Sequence, residues 1–119
     1  MPYTVEGKNG MLESHRARIT AVSLHTSDPG SSGDNEVSGN GYARVNVTSA
    51  DFNAPSNGEM TLANTLDFVG PANGNVTHGG FWDGTDFVSY GAITGDTTFN
   101  AEGNFSVLSG TTILDLNAS

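Results

Sequence analysis

A chain of 119 residues with a net charge of −9 and no cysteine has the length of one domain, and at that size only about two-thirds of the unfolded surface can be buried. Without cysteine, neither disulfides nor thiolate zinc sites can brace the fold. With 35% hydrophobic residues, 14% charged residues and 16 glycines, the composition fits neither charge-driven disorder nor a helical bundle, which leaves a loop-rich all-β domain.

Residues 1–10 are polar and lack the apolar stretch of a secretion signal, and no apolar run approaches the roughly 20 residues that span a bilayer. No membrane partner is therefore expected. The spacing of Met11, Leu12 and His15 among Glu13, Arg16 and Arg18 predicts a short amphipathic helix over residues 7–17. Residues 19–24 change character: Ile19, Thr20 and Val22 are β-branched, and Val22 and Leu24 share one face of a predicted strand. From 26 to 41 the chain is almost wholly Ser, Gly, Asp, Asn and Pro, the signature of a long exposed loop that serves as a contact arm. Within it, Asp28-Pro29-Gly30 reads as a turn.

Short alternating segments follow. Ala43, Val45 and Val47 alternate with polar neighbours, as do Met60 with Leu62 and Leu66 with Phe68, and further strands are predicted over 76–82, 87–93, 99–107 and 111–116. Turn residues separate them at 55–58, 70–74, 83–84, 95–96 and 109–110. This rhythm predicts a β-sandwich or jelly-roll-like domain over residues 1–119 with one N-terminal helix. The Asp83-Gly84 pair, flanked by Phe81, Trp82 and Phe87, suggests a type I′ hairpin turn. Some of these aromatics are expected to be buried and others to form an exposed tip.

Charge is distributed unevenly. Lys8, Arg16, Arg18 and Arg44 all lie in the first 44 positions, and eight carboxylates but no Lys or Arg follow. Such a surface repels phosphate backbones, so nucleic acid is not an expected partner. Tyr42 and Arg44 share a strand face, where the guanidinium can stack on the phenol while pairing with Asp28 or Glu36 across the loop.

The chain lacks the concentrated acids, bases and nucleophiles of a catalytic site. His15, His25 and His78 are dispersed, and Asp83 and Asp86 serve a turn rather than glycoside cleavage. Asp28, Asp34, Asn35 and Glu36 offer oxygens to a hard cation such as calcium, but their spacing is not that of an EF-hand. No catalytic residue, cofactor or metal site is expected.

The segments Leu24-His25-Thr26-Ser27-Asp28-Pro29-Gly30, Asn35-Glu36-Val37-Ser38-Gly39-Asn40-Gly41-Tyr42-Ala43-Arg44, Val76-Thr77-His78, Gly80-Phe81-Trp82-Asp83 and Tyr90-Gly91-Ala92-Ile93 together resemble a family of small tailed-phage proteins, described as tail fibre or minor structural proteins. The resemblance runs over nearly the whole chain. It implies a β-rich fold and a place in the virion, after synthesis in the bacterial cytoplasm. With no heptad run or fibrous repeat in the sequence, the reading favoured here is a head decoration (cement) protein bound to the major capsid protein; the alternative is a tail-fibre or tail-tip module that recognises a host surface. The small core suggests a homo-oligomer, with a trimer favoured. Arg16, Arg18, Asp28, Asp34, Glu36, Tyr42 and Arg44 are the expected partner contacts, with the later hairpins facing solvent.

Overall fold

A computed structural model describes residues 4–93 and 98–115. Helix α1 (Val5–Arg18) opens the chain, and Thr4 caps it by accepting a hydrogen bond from the Gly7 amide at 3.1 Å. Glu6 in its first turn and Arg16 and Arg18 in its last complement the helix dipole. The cap explains why the helix starts earlier than the apolar spacing indicated. The amphipathic reading needs correction, because Leu12 is the one buried residue of α1 and Met11 is exposed. Polar ties fasten the helix instead: Arg16 Nε donates to the Phe52 carbonyl, His15 Nε2 bonds the Ser89 hydroxyl, and the Asn9 side chain accepts from the Gly58 amide.

Strand β1 (Ala21–His25) is buried at every position. It lies second in a four-stranded antiparallel sheet, between β2 (Val45–Asn46) and β5 (His78–Asp83), with β6 (Asp86–Ala92) at the edge. The register sets Ala21 opposite Trp82, Val22 opposite Phe81, Ser23 opposite Gly80 and His25 opposite His78. Strand alternation then divides the sheet. Val22, Leu24 and Phe81 face inward, whereas Ser23, His25 and Trp82 face outward.

Two antiparallel ribbons complete the second layer: β3 (Glu59–Thr61) with β8 (Thr112–Asp115), and β4 (Leu66–Val69) with β7 (Asn104–Val107). Between sheet and ribbons, Val22, Leu24, Met60, Leu62, Phe68, Phe81 and Phe105 form the core with Leu12 of the helix. The expected antiparallel all-β class with one short helix therefore holds. So do the burials of Met60, Leu62, Leu66 and Phe68. The predicted strand over 99–107 is shorter, because Phe99 is buried beside Gly70 in a loop that precedes β7. The turn expected at 95–96 and the end of the last predicted strand at 116 lie outside the described residues.

One turn assignment differs from expectation. Asp83 pairs with Asp86, so Gly84 and Thr85 form the hairpin loop, and only Gly84 (φ 60°) has positive φ. That is the pattern of a type II′ turn, with glycine first. Type I′ geometry occurs at Asn40-Gly41 (φ 52° and 83°) and Asn57-Gly58 (φ 55° and 76°), each closed by a backbone hydrogen bond from the following residue. No aromatic tip forms at the β5–β6 turn, since Phe81 and Trp82 are buried on opposite faces and Phe87 is half-buried.

Adjacent glycines of β5 provide a test. A methyl group on Gly79 would face the core at ordinary contact distance, 3.7 Å from Ile93, beside a cavity of about 50 Å³. One on Gly80 would lie 2.6 Å from Ser23 and Phe87 and 2.7 Å from His25. Gly79→Ala is expected to be neutral or to stabilise by about 0.5–1 kcal/mol. Gly80→Ala is expected to destabilise by about 1–3 kcal/mol. Urea denaturation of the two variants checks the contrast, and equal effects would contradict the assigned faces.

Candidate functional site

The outward face of the sheet carries polar side chains in an otherwise apolar strand, and the segment between β1 and β2 folds back over them. The long loop is thus no free arm. Most of its residues are exposed, but Pro29 and Val37 are buried, and the backbone returns to β1 through Thr26 N to Asn35 O and Val37 N to Leu24 O. Gly33 (φ 75°) rests on the indole: a methyl group there would lie 2.8 Å from the Trp82 ring.

Beneath the loop runs a directed chain of hydrogen bonds. The Asp34 carbonyl can only accept, so His25 Nδ1, at 2.8 Å, carries the ring proton. His25 Nε2 therefore accepts from the Ser23 hydroxyl at 2.7 Å, and the Ser23 oxygen accepts from Trp82 Nε1 at 2.8 Å. Ser23 and His25 are both 0% exposed. Burial pushes the His25 pKa below its ordinary value, despite the opposing influence of the Asp34 carbonyl and Glu36. Among the described residues, no buried side-chain nitrogen or oxygen lacks a partner.

A second set of bonds latches the far end of the loop. Glu36 receives Arg44 through Nε at 3.0 Å and Nη2 at 2.9 Å, a two-pronged contact that fixes the guanidinium plane. That plane lies 3.6 Å from the centroid of the Trp82 ring. The Tyr42 hydroxyl donates to Glu36 and accepts from the Leu24 amide, both at 2.9 Å. Desolvation raises the Glu36 pKa, but the hydrogen bonds from Arg44 and Tyr42 outweigh it and the net shift is downward. Burial, reinforced by the Glu36 charge, holds the Tyr42 hydroxyl protonated well beyond its ordinary range.

Of the expected contact residues, Glu36, Tyr42 and Arg44 come together in this latch. Arg44 takes Glu36 and not Asp28, and it stacks on Trp82 rather than on Tyr42. Asp34 joins through its backbone carbonyl, while the Asp28 carboxylate accepts from the Gly30 amide in a local turn. Arg16 and Arg18 are elsewhere: Arg16 pairs with Glu13, and Arg18 pairs with Asp83 at 3.0 Å. Among the described residues, no three His, Asp or Glu side chains gather as a metal site, and no helix is long and apolar enough to cross a membrane. His25 and His78 do meet as cross-strand partners, whereas His15 sits on the helix against Phe81.

Sequence reasoning missed the Trp82–Ser23–His25 chain. The signal was present: in a strand, Ser23 and His25 at i and i+2 must share a face, and neither suits an apolar core. Beyond them Phe87 and Tyr90 stack with centroids 6.1 Å apart, leaving Tyr90 41% exposed at the sheet edge.

Residues 15–115 match the family model described as podophage GP4 fiber I protein gp80. No curated protein and no solved structure gives a significant match to the chain.

The latch and the buried chain make separate predictions. Arg44→Lys loses the paired bonds and the stacking plane, and because the site is partly solvated the cost is expected to be about 1 kcal/mol or less. Trp82 is the only tryptophan, so its fluorescence should change together with the transition; an unaltered spectrum would contradict the stacking. The folded-state pKa values of His25, His15 and Glu36 all lie below their ordinary values. Their contribution to stability is therefore complete above about pH 6.5 and falls as acid protonates first the histidines and then Glu36. Thermal unfolding followed against pH should show this decline. His25→Asn should flatten its upper part, and a wild-type curve level from pH 7 to 5 would refute the assignment.

Proposed function

Because this chain belongs to the podophage GP4 fiber I protein gp80 family, a group of phage structural proteins, we propose that it is a tail-fibre component whose loop-bearing face takes part in host-surface recognition. The family match favours this reading over the head decoration role expected from the compact sequence, because it covers residues 15–115 and describes a fibre protein. The supporting structural observation is that the 26–41 segment displays Ser31, Ser32 and Asp34 to solvent while buried hydrogen bonds and the Arg44–Glu36 latch fix its base. Loops held on a rigid scaffold are common carriers of recognition. The protein's partners are then other tail proteins, sister copies in a homo-oligomer such as a trimer, and a host-surface glycan or protein.

The role is adhesive, not enzymatic. Ser23 and His25 are hydrogen-bonded in the manner of a nucleophile and its base, but both are sealed from solvent and the serine oxygen is occupied by the Trp82 indole. Asp28 and Asp34 remain candidates for direct contact. Arg16, Arg18, Glu36, Tyr42 and Arg44 act first within the chain, by holding the surfaces that a partner would meet.

In this reading, Ser31→Lys combined with Ser32→Lys reduces phage adsorption by about tenfold through a changed contact charge, with no loss of thermal stability. Adsorption assays on particles carrying the variant provide the check. Copy number relative to the major capsid protein, measured on purified particles, separates fibre from head. Capsid-like abundance together with unchanged adsorption would restore the decoration role.

A further inference from the structure

The sequence contains four Asn-Gly pairs, at 9–10, 40–41, 57–58 and 73–74, and we infer that Asn40 is where the folded protein deamidates spontaneously. Asn-Gly is the most susceptible dipeptide because glycine leaves its own amide nitrogen unhindered beside the asparagine side chain. In the reaction the Gly41 nitrogen, having lost its proton to solvent base, bonds to Asn40 Cγ. The Cγ–NH2 bond breaks and the amine leaves as ammonia with a proton from water. Water then opens the five-membered imide at either carbonyl, giving aspartate or β-linked isoaspartate. The net change is amide plus water to carboxylate plus ammonium, with one negative charge gained.

The fold restrains three of the four pairs. Asn9 and Gly10 lie inside α1, whose amides are held in helical hydrogen bonds. Gly58 is buried and its N–H donates to the Asn9 side chain at 2.9 Å, while Ser56 and Glu59 close the turn with two backbone bonds. The Gly74 N–H donates to the Pro71 carbonyl at 3.0 Å, its carbonyl accepts from Phe99, and Asn73 N bonds Asn100. In each of these the attacking nitrogen must first leave a partner.

Asn40-Gly41 differs in each respect. Both residues are exposed, the Gly41 N–H has no hydrogen-bond partner among the described residues, and one exposed bond, Tyr42 N to Gly39 O at 3.1 Å, closes the turn. Breaking that bond is enough to let the Asn40 backbone rotate toward the imide geometry. The positive φ values of Gly39, Asn40 and Gly41 (95°, 52° and 83°) keep this segment outside any regular ladder. The new carboxylate would appear beside the recess lined by Tyr42, Ala43 and Arg44. An isoaspartyl link would also add a methylene to the main chain of the turn.

Peptide mapping by mass spectrometry of the intact, folded chain after incubation at mildly alkaline pH tests this inference. The expected result is amide-to-acid conversion with isoaspartate at Asn40 about tenfold faster than at Asn9, Asn57 or Asn73, the factor that one additional hydrogen bond to be broken supplies. In denaturant the four rates should converge. Asn40→Gly, which suits the positive φ, should keep the fold and stop the acidic shift on isoelectric focusing. Conversion at Asn57 or Asn73 as fast as at Asn40 in the folded protein, or an undiminished shift in Asn40→Gly, would overturn the assignment. The inference does not depend on the fibre reading.

Discussion

The structure depends on the burial of one five-residue strand on both faces. Inward, Val22 and Leu24 supply the apolar contact that joins the sheet to the ribbons. Outward, Ser23 and His25 could not be buried in an apolar layer without a penalty, so each must find a partner. Trp82 and the Asp34 carbonyl provide those partners, and in doing so they bring the loop down as a further covering layer. An apolar residue at position 25 would remove the need for the bond to Asp34, and with it the reason for the loop to lie where it does. The opposite Gly80 is part of the same arrangement, because the space above its Cα is filled by Ser23, His25 and Phe87.

The latch has a different physical character. Arg44, Glu36 and Tyr42 are only partly removed from water, so their pairing adds modest stability but strong orientation. Geometry is the contribution: a planar guanidinium held between a carboxylate and an indole fixes the far end of a 16-residue excursion that lacks a regular strand. The division sets buried neutral bonds at the centre of the loop's base and charged ones at its margin.

Much of this fold was legible in the sequence where burial follows a period of two. Met60 with Leu62 and Leu66 with Phe68 alternate cleanly and pack as expected, since each strand has one wet and one dry face. Legibility ended where the second face was covered by something distant in sequence. Nothing local to residues 26–41 announces that Val37 and Pro29 are buried; Val37 joins the core cluster and its amide bonds the Leu24 carbonyl, a partner outside the loop. The helix was misjudged for a related reason. Its apolar spacing is weak, and what holds it are single polar bonds to Phe52, Ser89 and Gly58, contacts that leave no periodic trace. At the hairpin of β5 and β6, Asp-Gly pointed to the right place with the wrong turn, because the pairing of Asp83 with Asp86 leaves Gly84-Thr85 as the loop, with glycine at its first position.

The abundance of asparagine and glycine first read as a sign of loops. Four asparagines, Asn35, Asn40, Asn57 and Asn73, occupy left-handed backbone positions, where β-branched or bulky side chains meet their own carbonyls. Each marks a sharp reversal of a short chain path. The residues tolerated there are therefore few, chiefly Asn, Asp and Gly, whatever sits on the solvent side. The backbone restricts residue choice more tightly at these corners than along the exposed strand faces. The protein's skewed composition is thus a record of how often the backbone must turn.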